Sequence, residues 1–322
     1  MRALVVSNMR PDAVHPERGR FVRDQVSALR ALGGIDVELH EFPPGRAELT
    51  GAAVKMRRRF SSAPRFGRSS VFRFDVVHAH FGLTAWPALA VPARVRALTV
   101  HGTDLRHPRT RLATRAVLPL IDLPAAVSAP LLGELPGVRA RRRAQVLPCG
   151  VDLERFHSIP REQARAELGL HLDRPCLLFA ADPSRPEKRH DLAVALALEC
   201  GVELLTLGAV EPAAVPLWVN AANAVLVPSD REGFGLAALE ALACETPVLA
   251  TPVGIHPEAL AGIEGTLCAP FALHRWRAAV EPHLHTSDPR LRGGRESAAR
   301  FSAARMAERV ADAWRGALER AS

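Results

Sequence analysis

The chain has 322 residues, 48% hydrophobic and 24% charged, enough to bury two ordinary cores without a disulfide or a structural metal. Its five cysteines, Cys149, Cys176, Cys200, Cys244 and Cys268, stand far apart, which excludes a CxxC zinc ribbon and argues against a disulfide-stapled secreted scaffold. The net charge of +8 is uneven: residues 1–150 carry 24 basic and 11 acidic side chains (+13), and residues 151–322 carry 18 and 23 (−5), as expected of two domains with different partners.

The opening MRALVVSNMR holds an apolar run too short for a signal-peptide core, and Ala3–Ser7 reads as a first strand. Strands follow near Asp36–His40, Val76–His80, Ala97–Val100, Ala125–Ser128 and Gln145–Leu147. Helices near Arg20–Leu32, Ala85–Val91, Arg111–Pro119 and Pro130–Glu134 fall between them. Residues 43–74, rich in Pro, Gly, Ser and Arg, read as a mobile basic loop with one helix around Ala47–Arg59. Val146-Leu147-Pro148-Cys149-Gly150-Val151-Asp152 serves as a linker where the charge balance changes sign.

A second alternation then begins, with strands at Cys176–Ala180, Glu203–Leu207, Ala224–Val227, Val248–Ala250 and Thr266–Cys268. Helices fit Arg161–Leu168, Lys188–Glu199, Leu217–Ala221, Gly235–Ala243, Ala272–Pro282 and Ala303–Arg320. The most apolar window, Leu192–Val210, is broken by Glu199, Gly201 and Glu203, so it is not a membrane span and a cytoplasmic address is expected. Alternating strands and helices predict an α/β chain of two doubly wound, Rossmann-like domains facing each other. Ligand would lie in the cleft outside the carboxyl ends of the strands.

The segment from Pro228 to Ala241, PSDREGFGLAALEA, runs from a strand through a glycine turn into a helix. Gly233 and Gly235 let an anion approach the backbone, where unpaired N–H groups and the helix dipole favour it. The dipole contributes only about 0.3–1 kcal/mol, so a cation must assist. Glu232 and Glu240 can touch different parts of one elongated ligand, and carboxylates suit sugar or ribose hydroxyls; surface glutamates on an ordinary strand–turn–helix are the bland alternative. His78-Ala79-His80 puts two imidazoles on one strand face, a chelating spacing without a third ligand at a characteristic distance, so packing is the preferred reading. No two aspartates are spaced Asp-x-Asp, and neither a P-loop nor Gly-x-Ser-x-Gly occurs.

EGFGLAALEALACETPVLATPVG resembles the E-x7-E segment of the retaining GT-B glycosyltransferases of family 4. HPERGRFVRDQVSALRALG, DVVHAH, VHGTDL, VLPCGVDLERF and ADPSRPEKRHDLAVAL are similar to further segments of that family in the same order, so the likeness covers nearly the whole chain. The resemblance implies a GT-B fold with an acceptor-side domain over 1–150 and a nucleotide-sugar domain over 151–302. The helix 303–322 would return to the first domain. It implies a retaining glycosyltransferase acting on a nucleotide-diphosphate sugar such as a UDP- or GDP-sugar, with no cofactor and no metal.

By the same resemblance Glu232 binds donor-sugar hydroxyls and Glu240 the ribose, while the amides of Gly233, Phe234, Gly235 and Leu236 hold the diphosphate. Lys188 would neutralise that diphosphate as it leaves, His101 would contact the donor sugar, and Gly19 would lie beside the donor phosphates. Ala181-Asp182 stands where the family usually has Gly-Arg. Arg185, in a loop similar to that of teichuronic-acid-type transferases, is the candidate second cation, with a plain surface charge as the alternative.

The resemblance implies an acceptor that is a glycan, a lipid-linked sugar or a small molecule. MRRRF at 56–60 and RARRRA at 139–144 suit an anionic membrane surface on the cytoplasmic face. The N-terminal half is short for this fold, with a peripheral element expected to be missing around 43–74 or 81–96. An epimerase or phosphorylase on the same scaffold and a non-catalytic nucleotide-sugar sensor remain as rivals. A nucleic-acid-binding role is disfavoured by 5% aromatic content and the absence of Tyr.

Overall fold

A computed structural model describes residues 1–60, 72–208 and 210–321. The chain divides into two compact units, Met1–Gly150 with Ala303–Ser322, and Val151–Ser302.

The first unit is built on a parallel sheet of six strands: β1 (Arg2–Ser7), β2 (Asp36–Glu41), β3 (Phe74–His80), β4 (Ala93–Val100), β5 (Leu123–Ala126) and β6 (Gln145–Val146). Their order is β2-β1-β3-β4-β5-β6. The chain therefore steps one way from β1 to β2 and the other way from β1 to β3, a topological switch at the carboxyl ends of β1 and β3. Helix Arg20–Ala31 buries Val22, Gln25, Val26 and Leu29, an i, i+3, i+4, i+7 stripe laid on the sheet. Helix Ala303–Arg320 buries Met306, Val310 and Trp314, which join Ala3, Val5, Val76 and Ala125 in one core.

Within residues 43–74 the helix expected around Ala47–Arg59 is present. Arg46–Phe60 is a regular helix, because Ala52, Met56 and Phe60 recur at i, i+4, i+8 and are buried. Phe60 packs edge-on against Phe74, with ring centroids 5.5 Å apart. Residues 61–71 of that expected loop lie outside the described residues. Within 81–96 the chain forms helix Gly82–Ala88 and enters β4 at Ala93.

The second unit carries a parallel sheet of five strands: β7 (Cys176–Phe179), β8 (Glu203–Thr206), β9 (Ala224–Val227), β10 (Val248–Ala250) and β11 (Leu267–Cys268). The order β11-β10-β9-β7-β8 puts its switch between β7 and β9. Leu177, Phe179, Leu226 and Leu249 of the sheet pack with Leu196, Trp276 and Val280 of the covering helices.

The helix expected from Lys188 begins at His190 instead, since Arg189 takes a left-handed conformation (φ 58°) that ends a 3-10 turn over Pro186–Lys188. Helices Thr103–Arg106, Val138–Arg143, His256–Ala259 and Gly294–Ala299 were not expected from the sequence; each is too short to show a periodic apolar stripe. Among the described residues, no helix is long and apolar enough to cross a membrane.

Trp314 is fully buried and its indole Nε1 donates to His78 Nδ1 at 3.2 Å. Trp314→Ala therefore removes both core volume and a buried donor. It is expected to destabilise the first unit by about 3–5 kcal/mol. Loss of hydrogen-exchange protection in β1 and β3, with β7 and β9 unaffected, is the measurement that checks this.

Candidate functional site

In the second unit the loops leaving β7 and β9 flank the switch point. The first runs through Asp182, whose Oδ1 accepts the Ser184 N–H at 2.8 Å and so folds the turn that the Ala181-Asp182 departure creates. The second contains Glu232. Their backbones are joined by Asp230 N donating to Glu187 O at 3.0 Å. Arg189 Nη1 also reaches Asp230 Oδ1 at 3.0 Å.

Across these loops Lys188 Nζ donates to both carboxylate oxygens of Glu232, at 2.6 and 2.7 Å. The two side chains are only 13% and 9% exposed. Ser229 Oγ adds a third bond to Glu232 Oε1 at 2.8 Å. Burial pushes the Glu232 carboxyl up, but the Lys188 charge and hydrogen bond, with help from His256 and Ser229, outweigh it and hold the group below its ordinary 4.5.

Glu232 leads into helix Leu236–Ala243, whose first turn starts at Gly235 with φ 109°. A Cβ there would stand 2.6 Å from His256 Nε2, so both the backbone conformation and the space demand glycine. Gly254 packs against the same turn: a Cβ on it would strike the Phe234 carbonyl oxygen. Phe234 is buried with its ring against Phe301, at 6.2 Å between centroids. Gly233 to Leu236 thus form the tight turn that leads into the helix Leu236–Ala243, whose first backbone N–H groups lack intrahelical partners. Glu240 lies within that helix and is partly exposed. Arg185 does not join Lys188; it is half exposed, and its guanidinium is taken by Glu187 Oε1 at 3.1 and 2.7 Å.

In the first unit the corresponding strand ends carry Gly19, Phe81 and His101. Gly19 (φ 68°) starts helix Arg20–Ala31, and a Cβ on it would strike the Met9 carbonyl oxygen. His101 follows β4. Its backbone N–H and that of Gly102 donate to Asp104 Oδ1 at 3.1 and 2.9 Å. Burial raises the Asp104 carboxyl to about 6 against those backbone donors. The His101 ring packs against both Phe21 and Phe81, at centroid distances of 4.8 and 4.6 Å. Its Nε2 meets His80 Nδ1 at 2.9 Å. Burial holds His78 and His101 down at about 3 and His80 well below its ordinary value, so all three rings are neutral at pH 7. His78 and His80 share a face, stacked at 4.8 Å, and among the described residues no three potential ligands gather to hold a metal ion.

Sequence reasoning missed Ser229, His256, Phe21, Phe81 and the coupling of His80 to His101. Gly254 closes the motif quoted above and was legible there, and Ser229 lies only three residues before its partner Glu232; the others carry no local signal, because their partners are distant in the chain.

Glu232→Gln tests the electrostatics. A carboxyl held low in the folded state stabilises it above the ordinary value, and that contribution is lost as pH falls through the lowered one. The wild type should lose stability in the second unit below about pH 4.5, and Glu232→Gln should show a flatter acid limb together with lower stability at pH 7. Urea titrations across that range measure both.

Comparison with known proteins places these strand ends in context. Residues 2–155 match the family model described as Glycosyltransferase Family 4, and residues 167–300 match that described as Glycosyl transferases group 1. The D-inositol 3-phosphate glycosyltransferase of Segniliparus rotundus is 31% identical over 303 residues, covering 77% of this chain and 67% of that protein. Its counterpart from Thermobispora bispora is 31% identical over 310 residues, covering 77% and 72%. Among solved structures, sucrose-phosphate synthase from Thermosynechococcus elongatus superposes over the whole of both chains with a TM-score of 0.70 at 19% identity. Anabaena HepE in complex with UDP and glucose does so over 96% of this chain and 98% of its own, with a TM-score of 0.65 at 17% identity.

Proposed function

The chain belongs to the group 1, family 4 glycosyltransferases and has their two-domain GT-B fold, and from that premise we propose that it is a retaining, metal-independent enzyme whose second unit binds the nucleotide-diphosphate sugar. The observation that carries this is the Lys188–Glu232 clasp beside the Gly233–Leu236 turn. An ammonium has three donors; two are spent on Glu232, and the third is available to a phosphate oxygen. The diphosphate rests on the helix N-terminus with Lys188 as its counter-charge, in the place a divalent ion would otherwise fill. Glu232, fixed as a carboxylate, accepts hydrogen bonds from donor-sugar hydroxyls, and Glu240 accepts those of the ribose. Arg185 could serve the diphosphate only by leaving Glu187.

In the reaction the bond from the anomeric carbon to the phosphate oxygen breaks, and its electron pair leaves with the diphosphate. The acceptor hydroxyl attacks the same face and passes its proton to the departing phosphate oxygen, so configuration is retained without a carboxylate base. Lys188 and the turn amides stabilise the charge that grows on the leaving group. His101 contacts the donor sugar as a neutral imidazole, and Gly19 admits the donor beside the start of its helix.

UDP is the first nucleotide to test, because HepE was solved with it. UDP, GDP, ADP and their sugars should be compared by thermal shift. One nucleotide should stabilise the protein selectively, and Glu240→Ala and Lys188→Ala should each weaken that shift by tenfold or more in apparent affinity, about 1.4 kcal/mol. Product NMR should show an unchanged anomeric configuration and turnover should survive EDTA; an inverted product or a chelator-dead enzyme overturns the respective claim.

A second proposal concerns the acceptor. Arg57, Arg58 and Arg59 are exposed on helix Arg46–Phe60, as are Arg139 and Arg142 on helix Val138–Arg143, whereas Arg141 and Arg143 spend hydrogen bonds on the Leu135 and Ile121 carbonyls. These clusters suit an acceptor presented on an anionic lipid surface of the cytoplasmic face, at about 1 kcal/mol per well-placed arginine. The protein should co-sediment with anionic but not neutral liposomes at low salt, and equal recovery in both supernatants would eliminate the idea.

A further inference from the structure

The buried imidazole of His80 has no role in the chemistry described so far, yet its surroundings are unusually specific. The β3–β4 register pairs His78 with Ala97 and His80 with Thr99, which brings the edge of His80 against His101 two residues beyond β4. Trp314 Nε1 donates to His78 Nδ1, so the neutral His78 ring carries its proton on Nε2 and gives it to Thr99 Oγ1 at 2.8 Å. His78 is thereby fully occupied, and His80, stacked on it at 4.8 Å, cannot exchange protons with it through a hydrogen bond. His80 is 1% exposed, and its Nε2 is buried without a hydrogen-bond partner.

Between two neutral rings, the 2.9 Å contact from His80 Nδ1 to His101 Nε2 holds a single proton. Were it carried by His101, the His80 proton would sit on Nε2 as a buried donor with no acceptor, the rarer and costlier kind of orphan. Carried by His80 Nδ1, it leaves only a bare lone pair at His80 Nε2 and forces the His101 proton onto Nδ1. The ring plane of His101 is fixed besides by Phe21 and by Phe81, a bulky residue held at φ 72°, in backbone strain of the kind retained at working sites.

We propose that His80 is a positioning residue that locks the His101 imidazole in its Nδ1–H tautomer, making His101 a neutral hydrogen-bond donor toward a hydroxyl or ring oxygen of the bound sugar nucleotide. The proposal rests on the reading of His101 as a donor-sugar contact, and its test separates the two. His80→Asn places an amide N–H where Nδ1 stood; His80→Leu removes the donor; His80→Gln, whose amide matches Nε2 instead, replaces Leu if that variant does not fold. His101→Ala reports on the underlying reading.

Long-range 1H–15N spectra of the His101 ring require no ligand. They should show Nδ1–H in the wild type and in His80→Asn, and a mixture or the Nε2–H form in His80→Leu or His80→Gln. Nucleotide release from UDP-glucose in water should fall in kcat by about tenfold to 100-fold in His80→Leu with KM nearly unchanged, and His80→Asn should restore it. A His101 ring that stays Nδ1–H in His80→Leu overturns the proposal, and so do equal losses in the Asn and Leu variants. Full activity in His101→Ala sinks the donor-contact reading while leaving the tautomer result to decide the role of His80. If the wild type releases no nucleotide from this probe, the spectra alone decide.

Discussion

The second unit depends on a nearly buried ion pair between the two loops that leave the paired strands β7 and β9. Lys188 and Glu232 leave β7 and β9 on either side of the switch point, and their clasp draws both loops over the start of one helix. A pair so placed gains little net stability over an apolar contact, because both groups lose their hydration. What it secures is geometry: a carboxylate fixed in its charged form and an ammonium held beside the glycine turn that starts the helix. The backbone bond from Asp230 to Glu187 and the Arg189–Asp230 pair brace the same junction from outside.

The first unit solves the parallel problem with neutral groups. Its strand ends hold imidazoles deprived of charge by burial, packed against phenylalanines and aligned by ring-edge hydrogen bonds. Asp104, kept in place by backbone N–H groups from both sides of the loop, supports that arrangement from beneath. One unit thus offers fixed charges, suited to a diphosphate; the other offers oriented dipoles, suited to hydroxyls.

How far the sequence foretold this follows the range of each interaction. Strands Ala224–Val227 and Val248–Ala250 and helix Ala303–Arg320 emerge with the boundaries read from periodicity, because their apolar patterns are local and strong. Lys188, Glu232 and the glycine turn were legible as a motif, and so was the parallel two-sheet class. The hydrogen bond between His80 and His101 was not, since it depends on the β3–β4 register and on two residues beyond it. Nor was the buried partner of Gly235, His256, whose position follows from packing between distant segments. The helix expected within the Arg-rich tract at 46–60 is present too, on an i, i+4 stripe of Ala52, Met56 and Phe60.

The last helix carries a consequence for how the polypeptide is made. Met306, Val310 and Trp314 complete a core whose other members, Ala3 through Ala125, leave the ribosome first. All of residues 151–302 must be synthesised in between, which at about 5–20 residues per second is a delay of roughly 8–30 s. During that interval the nascent first sheet lacks its closing helix and His78 lacks its indole partner. The middle of the gene product can mature before its beginning does, and the early segment must stay soluble with an open apolar flank, a natural client for chaperones that hold rather than fold.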